Sequence, residues 1–296
     1  MPDPFPRPRN AIHFVLDWDG TLTQHDTLEA LVSVAMWAKP NTGVPDRWHR
    51  VSETFVADYA EALLTHKPEG TPTVAKERKW LKDVGEVEKT SVNRVNDSGI
   101  FENVSASQMQ AGAVRACTAG KVELRKGVGD FFEYVRTHSV SNNNERYLDV
   151  DCRQPNHISI YANELEGMSR NFSSGMEYNS GLLGTERTNT INTSHDKLTY
   201  LQRIRKVSPW TMKPIPIVYV GDSWTDFECL LAADLGICIR DGPMNSAQKK
   251  LHDSLQRLGI KCPHLRDYKT VDEWGVVWAR DFREIRDWVA GMWTVE

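Results

Sequence analysis

The spacing of apolar and polar positions changes along the chain, and the changes divide it. Residues 12–17 (IHFVLD) form a short apolar run closed by an acid and then by Gly20. A run of that length bounded by a turn residue predicts a buried strand. Helical spacing follows. Leu28, Leu31, Val32 and Ala35 share one face, which ends at Pro40; Trp48, Val51, Phe55, Tyr59 and Leu63 make a second stripe. Trp80, Leu81, Val84 and Val87 make a third, stopped by the Asp97-Ser98-Gly99 turn. No strand is predicted between 26 and 120. Beyond 121 the pattern alternates: a helix over 127–135, a strand over 157–162 (HISIYA), and a helix over 196–204. A strand over 215–220 (IPIVYV), a helix through Phe227, Leu230 and Leu231, a strand over 235–239 and a closing helix over 281–293 complete it. Strands alternating with helices predict an α/β fold with a parallel sheet covered on both faces. The expected organisation is a disordered tail over 1–11, a core made of 12–25 and 121–296, and a helical insert over 26–120.

In a parallel sheet the ligand sits outside the carboxyl ends of the strands. Two of the predicted strands end there in acids: Asp17-Trp18-Asp19-Gly20-Thr21 and Gly221-Asp222-Ser223-Trp224-Thr225-Asp226. Alternation along an extended chain turns Asp17 and Asp19 the same way and Trp18 the other. Gly20 permits a sharp turn that brings backbone N–H groups close to the acids. Four carboxylates at one sheet edge repel one another unless a cation sits among them. Mg²⁺ suits, because it is hard, prefers oxygen and uses few carboxylates alongside phosphate and water. Each motif alone is compatible with an ordinary turn or helix cap. Their conjunction, in this order and with a lysine on an intervening helix, points to chemistry.

Together DWDGTLT, Lys197 and GDSWTD resemble the motifs of the haloacid dehalogenase-like hydrolase superfamily, in particular its phosphoserine phosphatase-like branch, over residues 12 to about 241. Residues 160–165 (IYANEL) also look like that branch's core strand. The resemblance implies a Rossmann-like core with an inserted α-helical cap, and Mg²⁺-dependent hydrolysis of phosphomonoesters. It makes Asp17 the nucleophile, ionised at neutral pH with an unperturbed pKa of ~4. Asp19 becomes the proton donor to the leaving oxygen and then the base for water. Lys197 offsets charge on the phosphoryl group. Gly20 and Thr21 belong to the phosphate-binding loop. Metal would be held by Asp17, Asp19 through its carbonyl, and Asp222, with Asp226 either binding metal or orienting its waters and Lys197. A leaving-group acid at Asp19 argues against a dehalogenase; phosphomutase stays open.

One family element has no counterpart. A strand ending in Ser or Thr should stand between the 127–135 helix and the 157–162 strand, followed by its own helix. Residues 138–156 offer only a strand-like piece at 147–151, which ends in Asp151-Cys152. A parallel crossover takes about a dozen residues, more than the stretch 153–157 supplies. Either Ser139 or Ser141 takes the hydroxyl's role in the phosphate site, or a strand–helix unit is lost and the chain is a catalytically impaired relative retaining metal, phosphate or partner binding. The second is favoured here.

Composition narrows the field further. The chain has 296 residues, 40% hydrophobic, with 36 basic and 40 acidic side chains for a net charge of −4. That mild acidity gives no basic stripe for a nucleic-acid backbone. No stretch approaches the ~18 apolar residues of a membrane span. The amino-terminal MPDPFPRPRN lacks a signal-peptide apolar run, so a cytoplasmic location is expected. Five scattered cysteines without a CxxC pair speak against a zinc knuckle or disulfide framework. The expected partner is a small-molecule phosphomonoester, with no nucleic acid and no membrane; oligomeric state is not legible. Trp18 and Trp224, which flank the motifs, could wall a pocket, though packing is favoured, as it is for Trp48 and Trp80. His25, just after the first motif, could lie at the hinge of the insert, though an isolated histidine is more often a surface or hydrogen-bonded residue.

Overall fold

A computed structural model describes residues 11–138, 147–148, 158–163, 165, 180, 182–183, 190–206, 215–268 and 275–293. The chain forms two compact units, one of residues 1–24, 124–160 and 197–296, the other of residues 25–123 and 161–196. No helix among the described residues is long and apolar enough to cross a membrane.

The first unit is built on a parallel sheet. Its strands are β1 (Ala11–Leu16), β2 (Tyr147–Leu148), β3 (Ile217–Gly221), β4 (Leu235–Ile239) and β5 (Val276–Ala279), in the order β2-β1-β3-β4-β5. Leu16 stands beside Val220, and Gly221 beside Cys238. Side chains alternate by two along each strand. One face therefore carries Ile12 and Phe14, Val218 and Val220, Ile237 and Ile239, and Val277 and Ala279. Against it pack Val128 and Phe131 of α5 (Val128–His138) and Phe282, Ile285 and Val289 of α9 (Phe282–Trp293). Phe131 meets Phe14 edge-on with ring centroids 5.1 Å apart. The middle strands β3 and β4 are buried along their whole length, which is why their sequences are continuous apolar runs.

The second unit is helical. It contains α1 (Leu28–Ala38), α2 (Val44–Thr65), α3 (Val74–Ser98) and α4 (Ala106–Thr118). Its core gathers Val32 and Ala35 of α1, Val44 and Val51 of α2, and Val95 of α3 with Ile100, Phe101 and Val104. Pro45 stands in the first turn of α2, where its missing N–H costs nothing. Ser105 caps α4 reciprocally with Gln108. Gly112 of α4 lies against Val34 so closely that a Cβ would overlap it. Trp48 is partly buried against this core, so packing is its role.

The strand expected over 157–162 is not formed in its described part. Among the described residues, 158–162 are in no strand, and Ile158, Ile160 and Tyr161 are 54%, 86% and 55% exposed. Their alternation is a strand pattern with its large apolar side chains left exposed. The strand-like piece at 147–151 is described at Tyr147–Leu148, parallel to β1 at the sheet's edge.

Candidate functional site

In the order β2-β1-β3-β4-β5, the strand order reverses between β1 and β3, the point of a parallel sheet at whose carboxyl ends ligands are generally bound. Both acid motifs emerge there. Asp17 leaves β1 in extended backbone, its N–H donating to the Val220 carbonyl at 2.9 Å. Residues 18–22 then wind into a wide turn, closed by the Thr23 N–H donating to the Trp18 carbonyl at 3.0 Å. Gly20 takes φ +69°, and a Cβ there would collide with the Asp222 carboxylate. Only glycine lets this backbone lie on Asp222. The strand ends at Leu16, so the expected alternation stops short of Asp19: Trp18 and Asp19 are both exposed, whereas Asp17 is half-buried.

β3 delivers Asp222, and a short 3₁₀ turn (Trp224–Asp226) folds Asp226 back beneath it. The Asp226 carboxylate is fully buried and accepts five hydrogen bonds. Lys197 Nζ and the Tyr219 hydroxyl donate to Oδ1, each at 2.7 Å. The Asp222 and Ser223 N–H groups donate to Oδ2 at 3.2 and 3.0 Å, and Ser223 Oγ at 2.9 Å. A carboxylate offers about four lone-pair sites, so these donors engage both oxygens of Asp226, which also stand with Asp17 and Asp222 in a group that could hold a metal ion. Of its two expected roles, the hydrogen bonds support orienting Lys197.

Lys197 arrives on α6 (Ser194–Lys206), whose start is set by a reciprocal cap between Thr193 and Asp196. Its Nζ bonds Asp17 Oδ1 at 2.9 Å as well as Asp226. Burial disfavours the Lys197 charge, but Asp17 and Asp226 more than offset this and raise its pKa. Asp226 shows the converse: burial pushes it up, yet Lys197 and the donor set bring it below the usual carboxylate value. Asp17 is pushed up to about 6 by burial and by Asp226, with Lys197 opposing. Asp222 is pushed up to about 8 by burial and by repulsion from Asp226 and Asp17. It accepts a hydrogen bond from Thr21 Oγ1 at 3.3 Å.

Oxygens of Asp17, Asp222 and Asp226 lie within 4.8 Å of one another. One lysine bridges two of these three carboxylates; burial first, and then their mutual repulsion, raise the pKa values of Asp17 and Asp222. All-oxygen donors with surplus negative charge fit a hard divalent cation such as Mg²⁺, with Asp17 and Asp222 available to it.

The structure therefore brings Asp17, Gly20, Thr21, Lys197, Asp222 and Asp226 together, with Asp19 exposed beside them. Ser139 and Ser141 lie outside the described residues. Trp18 stands 49% exposed, and Trp224 is buried, with Lys250 Nζ 5.5 Å from its ring centroid. Two residues escaped the sequence reading. Tyr219 stands in the apolar run of β3, and a buried tyrosine hydroxyl requires a partner, here Asp226. Arg125 is 6% exposed and donates to the Gly20 and Thr21 carbonyls at 2.6 and 3.1 Å. Nothing in a lone arginine between Leu124 and Lys126 signals burial.

Fold and site define an α/β protein whose parallel sheet carries a lysine-bridged carboxylate cluster at its carboxyl edge. No protein-family model matches the chain. It is similar to a CTO1 family protein of Schizosaccharomyces pombe (strain 972), 24% identical over 257 residues that span 82% of this chain and 85% of that protein. Two solved phosphoserine phosphatase structures are also similar, one a phospho-aspartyl intermediate analogue and one a substrate-bound complex. They share 14% and 15% identity, cover 95% of this chain and 98% of their own, and superpose with TM-scores of 0.44 and 0.45.

Proposed function

We propose that this chain is a Mg²⁺-dependent phosphomonoester hydrolase acting on a small phosphorylated metabolite. The observation that carries this reading is Lys197 bridging Asp17 and Asp226 while Asp222 stands in reach with its charge unrelieved. An Asp17 oxygen attacks phosphorus, the bond from phosphorus to the ester oxygen breaks, and Asp19 gives that oxygen a proton. Water, deprotonated by Asp19, then attacks the aspartyl-phosphate and releases Asp17 and phosphate. The exposure of Asp19 supports this role, since leaving group and water both have to reach it. Lys197 holds Asp17 in place and offsets charge gathering on the phosphoryl oxygens. Asp17, Asp222 and the Asp19 carbonyl would hold Mg²⁺, which as a Lewis acid neutralises phosphoryl charge. The helical unit is read as the cap that selects substrate, and the protein as cytoplasmic, without nucleic-acid or membrane partners.

A panel of phosphorylated sugars, alcohols and amino acids, with p-nitrophenyl phosphate, tests the reading. Inorganic phosphate released only with Mg²⁺, and lost in Asp17→Asn and Asp19→Asn, is the expected result. Transfer to a second hydroxyl in place of release would identify a phosphomutase.

A second reading has its own observation. On the far side of β1, the described sheet holds only the two residues of β2, and the exposed 158–162 stretch forms no strand. Under this reading the chain is a catalytically impaired relative that keeps metal or phosphate binding. Mg²⁺ binding by Asp222-containing protein without turnover of any panel member would favour it.

A further inference from the structure

We propose that Arg125 is a positioning residue, which holds the 18–22 turn in the shape that places Gly20 and Thr21 on Asp222. The inference rests on the hydrolase reading for its catalytic consequence, though its geometry stands without it. Arg125 follows the point where the chain re-enters the first unit, marked by an antiparallel bridge between Thr23 and Leu124 and by the Arg125 N–H donating to the Leu22 carbonyl at 2.8 Å. Its side chain is 5% exposed and spans two loops. Nη2 and Nε donate to the Gly20 and Thr21 carbonyls of the loop after β1. Nη1 and Nη2 donate to the Asp241 carboxylate of the loop after β4. Asp241 is itself held by Gln248 Nε2 at 2.7 Å, from the first turn of α8 (Ser246–Arg257).

β1 and β4 are not neighbours; β3 lies between them, and Asp222 leaves its end. The guanidinium therefore ties the loops on either side of Asp222. A planar trans peptide directs its C=O and N–H oppositely. Pinning the Gly20 and Thr21 carbonyls fixes two successive peptide planes in a turn that glycine would otherwise leave loose. The left-handed Gly20, its contact with Asp222 and the Thr21–Asp222 hydrogen bond all depend on those planes. A planar fork with fixed donors can serve two carbonyls and a carboxylate at once; an ammonium on a flexible stem cannot.

Arg125→Lys tests this, because it keeps a cation against Asp241. Arg125→Met in an Asp241→Asn background is the second variant, which removes the cation without stranding its carboxylate partner. Two readouts are taken: amide hydrogen exchange of the intact protein, and kcat and KM for the best panel substrate. Both variants should exchange faster in residues 17–23 while β5 and α9 stay protected. Turnover should fall by about 100-fold, the cost of an ångström-scale misplacement, with KM changed less than about threefold. Unchanged exchange at 17–23 would overturn the proposal. So would protection lost equally from β5 and α9, since Arg125 would then act only on overall stability. If the unaltered protein hydrolyses nothing on the panel, the hydrolase reading falls, and the exchange result alone decides for Arg125.

Discussion

Acidification should stabilise the metal-free protein, opposite to what paired carboxylates usually do. Asp222 is almost fully buried, and its carboxyl moves from 3.8 to about 8 on folding, through burial first and then repulsion from Asp226 and Asp17. The native state thus keeps a proton over a range where the unfolded chain has lost it. The sign follows: stability is complete below about pH 4 for this group and is lost as the pH rises toward about 8. At about 1.4 kcal/mol per unit, a shift of this size amounts to about 6 kcal/mol, comparable with the whole stability of many domains. Asp17, pushed up to about 6, adds in the same direction over the lower part of the range. Urea unfolding of chelator-treated protein, from about pH 5 to about pH 8, measures the effect. Asp222→Asn removes the titrating group, so the wild-type minus Asp222→Asn difference reports Asp222 together with its repulsion from Asp17 and Asp226 and cancels the ionisations that do not interact with it. The difference should turn against the wild type as pH rises, and added Mg²⁺ should reverse it most strongly at the alkaline end, where the carboxylates are charged. A difference that is flat with pH, or an Mg²⁺ effect equal at both ends, would refute the reasoning.

Three further outcomes are expected. Lys197→Met should cost about 3–5 kcal/mol in urea, because it strands the fully buried Asp226 without its cation, and Lys197→Met with Asp226→Asn should recover part of that loss. Gly20→Ala forces a Cβ into the Asp222 carboxylate at a left-handed φ; it should destabilise by about 1–3 kcal/mol and weaken Mg²⁺ binding measured by calorimetry, whereas Gly129→Ala, with open space at its Cβ, should leave Mg²⁺ binding unchanged. Ser105→Ala removes a reciprocal helix cap in the helical unit and should cost about 1 kcal/mol, read as a lower unfolding midpoint with unchanged Mg²⁺ affinity.

Long, strongly periodic elements were legible in the sequence. The stripes through Leu28, Trp48 and Trp80 became α1, α2 and α3, and the runs at 215–220 and 235–239 became β3 and β4. Three elements were not read. In α8 only Leu251 and Leu255 are apolar and buried, and the rest of its buried face is Gln248 and Ser254, so the stripe is too narrow to see. α4 buries Gly112 and Ala116, small residues that carry little hydrophobic signal. β5 is four residues long, too short for period alone to separate strand from loop. The opposite error came at Ile158 and Ile160, where strand alternation exists but the described residues form no strand. At the site, Asp17, Lys197, Asp222 and Asp226 could be picked out because acids following two strands and a lysine on the helix between them stand out in the sequence, and the structure brings them together. The supports could not, since Arg125 and Tyr219 are fixed by strands and loops that meet only after folding.

The central claim is that Asp17 is a nucleophile toward phosphorus. Protein incubated with radiolabelled phosphomonoester and Mg²⁺, quenched in acid and digested should yield one labelled peptide containing Asp17, its label released by hydroxylamine. The same label should be absent from Asp17→Asn. An Asp17→Asn protein that releases phosphate from the substrate at undiminished rate, or a wild-type protein labelled at another residue, would contradict the account.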